Sequence, residues 1–400
     1  MIAGNESEDD MADAASGGPP GSSSASRGLG RRTFVRQMAG TAAAVSLVSP
    51  GHRTSAQQPP APDTPRRIKV AVIGLNHGHI NSMTSSVVRG GGELVWIHAK
   101  EPELLKPFLG RYPAAKAART EDEILQDASI HAVLSASIPD ERAPLGLRVM
   151  RAGKDFIVDK PGITSLAQLA EVRTVQAKTR RIYSIVYSER FENRATMHAS
   201  DLVKAGAIGR VIQTVGLGPH RMNPKSRPAW FFDKARFGGI LCDIASHQAD
   251  QFLHFTGSTR AEVLSSQTGN VHYPQYPDFE DFGDMHVRGD KGTGYIRVDW
   301  FTPDGLPTWG DGRLTILGTD GFIEIRKNVD LAGRQGGNHL FLSDQKETRY
   351  IDTRDVELPY GRLIVDDIVN RTETAMSQAH CFLATQLVLE AQARAQRLVI

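Results

Sequence analysis

The sequence has little cysteine, since Cys242 and Cys381 are the two present in 400 residues. They form neither a close pair nor a metal-binding spacing, and two cysteines cannot cross-link a fold of this size. We therefore expect both thiols to be buried and reduced. Hydrophobic residues make up 40% of the chain and charged residues 23%. This composition suits a globular protein with a sizeable core, and the length predicts two domains after processing.

The sequence also lacks a strong excess of either charge. Lys plus Arg number 47 and Asp plus Glu number 45, which gives a formal net charge of +2. The small basic excess is not gathered into a long patch, so nothing electrostatic indicates a nucleic-acid partner. We expect a protein that acts on a small molecule.

Large apolar residues are scarce at the N-terminus, where residues 1–30 are rich in Gly, Ser, Ala and acidic side chains. Such a segment is expected to be disordered. The following stretch, "GRRTFVRQMAGTAAAVSLVSP", resembles a twin-arginine export signal with Arg31 and Arg32 as its basic pair. Its apolar part, residues 38–48, is too short to span a bilayer, and a small-residue cleavage site ends at Ala56. The alternative is a chance basic pair beside an Ala-rich helix.

The export reading predicts a periplasmic or otherwise exported protein with no stable membrane anchor after cleavage. Residues 1–65 would then comprise a disordered N-terminus, the signal and a linker. Twin-arginine export carries folded proteins, so a cofactor bound in the cytoplasm would leave with the protein. We therefore expect a cofactor that does not dissociate between turnovers.

Strand and helix patterns alternate from residue 66 to residue 188. Buried strands are predicted at "IKVAVIG", "ELVWIHA", "IHAVLSAS", "DFIVDKP" and "IYSIVYS", with helices between them. This alternation predicts right-handed crossovers and a parallel sheet covered on both faces. We expect a doubly wound dinucleotide-binding domain of the Rossmann type.

The first strand ends in an unusual turn, "VAVIGLNHGHI". A dinucleotide cradle needs a glycine where the chain leaves the strand, and Gly74 provides it. Asn76 can adopt the left-handed backbone region in place of a second glycine, and Gly78 leaves room close to the phosphates. His77 and His79 raise the alternative of a metal site, but no Cys, Asp or Glu lies nearby in sequence. We favour the cradle over a metal site or an ordinary turn with solvated histidines.

Two later segments carry a family resemblance. "AGKDFIVDKP" places Asp159 and Lys160 at the carboxyl end of a strand, and "GGILCDIASHQAD" places Asp243 and His247 four residues apart on a predicted helix. Both resemble segments of the Gfo/Idh/MocA oxidoreductase family, A-G-K-x-x-x-x-[ED]-K-P and G-G-x-x-x-D-x-x-x-H-x-x-D. The resemblance covers nearly everything after Arg66.

Residues 189–400 are expected to form an α+β domain for substrate binding and oligomerisation. Stretches such as "DMHVRGD", "TGYIRVDWF", "GRLTILGTD" and "GFIEIRK" alternate apolar and polar residues between turns, which predicts a mostly antiparallel open sheet. The closing "HCFLATQLVLEAQARAQRL" has helical spacing. We expect this helix to pack against the body of the protein and the open sheet to support a homo-oligomer.

The resemblance implies a nicotinamide-dependent oxidation of a sugar or polyol. His247 would be the base that takes the hydroxyl proton, Lys160 would hydrogen-bond the reacting oxygen, and Asp243 would orient these groups. No metal is expected. The predicted cofactor-binding residues are Gly74, Asn76, His77, Gly78, His79, Lys100, Ser137, Asp159 and Lys160.

Two segments depart from the family pattern. At the end of the second strand, Ala99 and Lys100 stand where an acid would bind the ribose of NAD. This favours NADP over NAD, although Glu101 could still serve NAD. In "SIPDERAP", Asp140 and Ala143 replace the usual Asn and His, which leaves the contacts on the nicotinamide side open.

Three functions remain open at this stage. The first is an exported oxidoreductase that acts on a carbohydrate. The second is a redox-neutral glycosidase or lyase of the same fold, and the third is a non-catalytic ligand-binding relative. The presence of Lys160, Asp243 and His247 argues against the third.

Overall fold

A computed structural model describes residues 67–399. The predicted export signal and the predicted disordered N-terminus lie outside these residues. Within them, no helix is both long enough and apolar enough to cross a membrane.

The first sheet is parallel and has six strands in the order β3-β2-β1-β4-β5-β6. Four of its strands, at residues 68–73, 132–135, 155–159 and 183–186, consist mainly of buried apolar residues, as expected for a sheet covered on both faces. The strands are β1 (Ile68–Ile73), β2 (Gly92–His98), β3 (Lys116–Ala117), β4 (Ala132–Ser135), β5 (Asp155–Asp159) and β6 (Tyr183–Val186).

Five helices connect these strands, and their starts follow local sequence signals. Thr120 and Ser165 accept hydrogen bonds from the backbone N–H groups of Glu123 and Gln168, so each caps its helix. The helices are α1 (Ile80–Arg89), α2 (Pro102–Arg111), α3 (Glu121–Gln126), α4 (Pro139–Arg151) and α5 (Leu166–Thr179).

The second sheet has nine strands in the order β14-β13-β12-β11-β7-β10-β9-β8-β15. Most pairs are antiparallel, while β10–β7 and β15–β8 are parallel. The strands are β7 (Val211–Pro219), β8 (Ala261–Gly269), β9 (Phe282–Gly289), β10 (Thr293–Asp299), β11 (Arg313–Gly318), β12 (Gly321–Arg326), β13 (His339–Asp344), β14 (Thr348–Ile351) and β15 (Gln396–Arg397). The two sheets confirm the predicted fold class.

Helices of the second half cover one face of this sheet and also return to the first sheet. The last helix packs against β8 and α5, and the helix before it packs against α1. These helices are α6 (Ser188–Phe191), α7 (Arg194–Lys204), α8 (Lys234–Phe237), α9 (Ile240–Asp243), α10 (Ala245–Thr256), α11 (Tyr360–Asn370) and α12 (Gln378–Arg394). The domain division at residue 188 stays a prediction.

One predicted helix is interrupted. The segment after Gly239 was expected to be continuous through His247, but α9 ends at Asp243 and α10 begins at Ala245. The Ser246 hydroxyl donates to the Asp243 carbonyl at 2.8 Å, so a side chain satisfies a carbonyl at the break. Asp243 and His247 therefore lie on two successive helices rather than on one helical face.

Candidate active site

Two clefts open at the carboxyl edge of the parallel sheet. The first, of about 890 Å³, runs from the turn after β1 past the end of β2 to α4. We call it the nucleotide cleft. The second, of about 1050 Å³, is lined by residues of both halves of the chain, among them Lys160, Asp243 and His247. We call it the substrate cleft. The carboxyl edge is where open α/β sheets bind ligands.

The turn after β1 leaves no space for a side chain at Gly74. Gly74 has φ +86°, and a Cβ there would lie 2.5 Å from the Cβ of Ser137. The N–H of His77 donates to the carbonyl of Ala136 at 3.1 Å, which ties the turn to the end of β4. Gly78 follows in the same turn, and its carbonyl accepts hydrogen bonds from the backbone N–H and the side-chain amide of Asn81. The close packing on Ser137 and the positive φ require a glycine at position 74, and Gly74 and Ser137 both line the nucleotide cleft.

The nucleotide cleft has acidic walls. The Asn76 side-chain amide donates to Glu101 at 2.9 Å. Lys100, whose side chain is 64% exposed, pairs with Glu141 at 3.1 Å. Glu101, Asp140 and Glu141 all line this cleft. The charge on Lys100 is thus partly offset by a neighbouring carboxylate.

His77 and His79 meet around Asp159. Each Nδ1 lies 2.9 Å from an Asp159 carboxylate oxygen, and the two rings contact each other edge to face with centroids 4.2 Å apart. Both histidines line the substrate cleft. Asp159 is fully buried and lines neither cleft. Asp159 therefore contacts the two imidazole rings from the protein interior and orients them.

The same three residues form a group that could hold a metal ion, with ligand atoms within 4.8 Å of one another. No acid lies near these histidines in sequence, but β5 brings Asp159 to them in the folded chain. However, Arg142 contacts the Asp159 carboxylate at 3.1 Å, and its side chain is 1% exposed. A buried guanidinium on the one carboxylate of the group opposes the binding of a dication.

The basic groups around Asp159 keep its carboxylate charged. Burial would raise its pKa, but His79, Arg142 and His77 hold the pKa of Asp159 well below its usual range. Arg142 also donates to the backbone carbonyls of Ser137, Asp159 and Lys160. It therefore fixes the segment that carries Lys160 against the end of β4.

Lys160 and Asp243 form an ion pair in the wall of the substrate cleft. The ammonium donates to the Asp243 carboxylate at 2.9 Å, and the side chains are 7% and 13% exposed. Burial alone would raise the pKa of Asp243, yet Lys160 lowers it below its usual range. The pair joins the end of β5 to α9, so it brings together the two motifs that the sequence analysis singled out.

His247 lies on the same cleft and is 2% exposed. Burial lowers its pKa to about 3, so the imidazole is neutral at ordinary pH and one of its ring nitrogens is unprotonated. Among the described residues its Nδ1 has no hydrogen-bond partner.

Sequence reasoning missed an ion pair next to this histidine. Glu189 and Lys327 line the cleft and contact each other, with side chains 9% and 3% exposed. Glu189 follows β6 at the carboxyl edge of the first sheet, a position that could have indicated it. Lys327 follows β12, far away in sequence, and no local signal marks it.

Aromatic side chains form another wall of the substrate cleft. Trp230, Phe231, Trp300 and Trp309 line it together with His220. The His220 ring lies 4.6 Å from that of Trp309 and 5.3 Å from that of Trp300, centroid to centroid. Flat apolar faces beside polar groups are suited to a ligand with both kinds of surface, such as a sugar.

The predicted residues thus divide between the two clefts. Asn76, Lys100, Ser137 and Gly74 line the nucleotide cleft, while His77, His79, Lys160, Asp243 and His247 line the substrate cleft. Asp159 lies behind the histidines, and Gly78 belongs to the turn between the clefts. The individual roles assigned to these residues stay predictions.

Comparisons with known proteins give the chain a family. Residues 196–324 match the model of the GFO/IDH/MocA C-terminal domain. The chain is 25% identical to scyllo-inositol 2-dehydrogenase (NAD(+)) of Bacillus subtilis over 74% of its own length and 85% of that protein. It is 30% identical to levoglucosan dehydrogenase of Pseudarthrobacter phenanthrenivorans over 41% of its length and 43% of that protein.

A solved structure is more similar in sequence. It is provisionally described as an oxidoreductase from Erwinia carotovora atroseptica SCRI1043, and it shares 45% identity with a TM-score of 0.81. The alignment covers 83% of this chain and all of the other. Together with the matched C-terminal domain, this similarity identifies the chain as a member of the Gfo/Idh/MocA family of oxidoreductases.

Proposed function

We propose that the protein oxidises a CH–OH group of a sugar or polyol with a nicotinamide dinucleotide, or reduces the corresponding ketone. The observation that carries this proposal is the meeting of Lys160, Asp243 and His247 in one cleft that adjoins the turn at Gly74. The named relatives that act on scyllo-inositol and levoglucosan support a carbohydrate substrate.

The nucleotide cleft fits the cofactor that the family implies. Gly74 lets the turn pack directly on Ser137 at the cleft wall, and α1 begins directly after the turn, so a helix N-terminus faces it. Asn76, Ser137 and Glu101 would hold the adenosine half, while His77 and His79 would lie toward the nicotinamide half. When bound, the cofactor accepts or supplies the hydride.

The residues of this chain supply the proton transfer and the positioning. Neutral His247 accepts the hydroxyl proton as the alcohol is oxidised to a carbonyl. Lys160 donates a hydrogen bond to the reacting oxygen and favours its developing negative charge. Asp243 keeps the Lys160 ammonium directed into the cleft through the 2.9 Å contact.

The test is a spectroscopic assay in the nicotinamide absorbance band with inositols, anhydrosugars, aldoses and glycosides. We expect net cofactor reduction with at least one polyol or sugar. Turnover of a glycoside without a lasting spectral change would favour the redox-neutral glycosidase or lyase instead. Cofactor binding without turnover of any compound would favour a ligand-binding relative.

For the nucleotide, Ala99 and Lys100 predict NADP, and we propose NAD instead on the basis of two contacts. Lys100 is paired with Glu141, and Glu101 lies in the nucleotide cleft beside Asn76. A carboxylate there suits a ribose 2′-hydroxyl and repels a 2′-phosphate. The test is to denature the purified protein and identify the released nucleotide. Mainly NADP would contradict the proposal and indicate that Lys100 binds the 2′-phosphate.

We also propose that the protein works outside the cytoplasm and keeps its cofactor. The support is the twin-arginine-like segment at Arg31 and Arg32, because an exported enzyme of this kind has no free dinucleotide pool. Association through the open sheet is proposed as well. Leu317 and Phe322 lie opposite each other there and are 42% and 40% exposed.

A further inference from the structure

The Glu189–Lys327 ion pair is built around the helix that carries His247. Lys327 donates to the Glu189 carboxylate and, at 3.1 Å, to the side-chain oxygen of Gln251. The Gln248 amide donates to Glu189 at 2.9 Å. Gln248 and Gln251 are on α10, one and four residues after His247. The pair therefore anchors on the same helical turn as the predicted base.

Four ionisable neighbours act on the His247 imidazole from different elements. Lys160 after β5, His79 in the turn after β1 and Lys327 after β12 all lower its pKa, together with burial. Glu189 is the one of the four that raises it. The Glu189 carboxylate itself stays ionised, because Lys327 outweighs the effect of burial and the pKa of Glu189 is lowered to about 2.

Burial and the nearby ammonium groups of Lys160 and Lys327 oppose protonation of His247. When His247 takes the substrate hydroxyl proton, it becomes a cation in a cleft that already contains Lys160 and Lys327. Repulsion in a partly dehydrated site opposes this step. A fixed carboxylate beside the imidazole offsets the repulsion at the moment when the charge forms.

We propose that Glu189 is a positioning residue for proton transfer, which stabilises protonated His247 while Lys327, Gln248 and Gln251 hold its carboxylate in place. The inference rests on the function proposed above. In the step concerned, the hydroxyl proton passes to His247, the C–H electron pair leaves as hydride to the oxidised nicotinamide, and the alcohol becomes a carbonyl. The reverse reaction returns the proton from His247 to the alkoxide.

The alternative is that the pair is a purely structural link between the two halves of the chain. The variant Glu189→Gln alone does not separate the two roles, because it leaves Lys327 buried without its partner. The double variant Glu189→Gln/Lys327→Met does, because it removes both charges together. Replacing a whole buried ion pair is often neutral for stability.

The experiment compares wild type with this double variant in three measurements, which are thermal unfolding, cofactor affinity by fluorescence titration, and kcat with KM for the best substrate. The proposal expects the unfolding temperature to stay close to that of wild type and cofactor affinity to stay within about twofold. It expects kcat to fall, because the Glu189 charge acts on His247 more strongly than the Lys327 charge that is lost with it. The loss of Lys327 offsets part of the effect, so the expected fall is about tenfold rather than the roughly 100-fold or more of fully impaired acid–base catalysis. The double variant Glu262→Gln/Arg288→Met removes an exposed pair on the second sheet and serves as the matched control. It should keep wild-type kcat.

Three results would overturn the inference. If wild type binds cofactor but oxidises no polyol or sugar, the proposed function fails and the inference fails with it. If wild type is active and the Glu189→Gln/Lys327→Met variant keeps its kcat, the role of Glu189 alone is refuted. If the double variant does not fold, Glu189→Asp and Glu189→Gln are compared with their rates corrected for the folded fraction, and the variant that keeps the charge should turn over about tenfold faster. Equal rates for these two variants would again refute the role.

Discussion

Replacing Lys160 by methionine removes the ammonium group and keeps an unbranched side chain of similar length. In the structure this ammonium lies 2.9 Å from the Asp243 carboxylate at the wall of the substrate cleft. The Gly74 turn and the nucleotide cleft are untouched. We therefore expect Lys160→Met to bind the cofactor with an affinity close to that of wild type.

Turnover should fall far more than binding. Loss of one positioned donor to a developing oxyanion costs about 100-fold or more in kcat, which corresponds to about 2.7 kcal/mol of transition-state stabilisation. The change also leaves Asp243 without the cation that lowers its pKa, so that pKa should rise. Because both side chains are largely buried, a loss of stability is expected as well.

The double variant Lys160→Met/Asp243→Asn separates these effects. It removes both charges, so it should recover most of the stability lost in Lys160→Met and remain as slow. Cofactor affinity, thermal unfolding and steady-state rates are measured for wild type and both variants. Wild-type kcat in Lys160→Met, or recovery of turnover in the double variant, would refute the role given to Lys160.

Three further predictions concern the cradle, the core and the cofactor. Gly74→Ala should abolish cofactor binding measured by fluorescence, because φ +86° and the 2.5 Å approach to Ser137 each oppose a Cβ; normal binding would refute the cradle. Asp250→Asn should cost about 3–5 kcal/mol in urea unfolding at neutral pH, because Arg190 loses its buried carboxylate. The pKa of Asp250 lies below its usual range, because Arg190 and His380 outweigh burial. The stability that the Asp250 carboxylate contributes to wild type should therefore be lost as pH falls below about 4, whereas the variant has no such contribution to lose. Equal acid sensitivity of the two proteins would contradict this. Mature protein from the exported fraction should retain near-stoichiometric nicotinamide after dialysis, and empty protein that added cofactor reactivates would refute retention.

The first sheet was predictable because each of its elements is encoded locally. Buried parallel strands are continuous apolar runs, and the capping residues Thr120 and Ser165 precede their helices in the sequence. The carboxyl end of β5 is fixed by that pattern, so the position of Lys160 at the edge of the sheet followed from the sequence. The turn at Gly74 followed for the same reason.

The partners of these residues were less accessible to sequence reasoning. Periodicity suggested one helix through Asp243 and His247, whereas a side-chain hydrogen bond from Ser246 accompanies a break between α9 and α10. The short strands β3 and β15 have too few residues to show a period. A helix break or a two-residue strand that depends on neighbouring segments cannot be predicted from the local sequence pattern.

The sequence by itself determined the parallel sheet, the glycine turn at Gly74 and the presence of Lys160, Asp243 and His247. Only the tertiary structure decided which charges meet. It placed Asp159 behind His77 and His79, and it joined Glu189 to Lys327 across 138 residues of chain. The physical reason is that secondary structure follows from side chains a few residues apart, whereas the electrostatics of a cleft depend on distances between groups that the folded chain alone brings together.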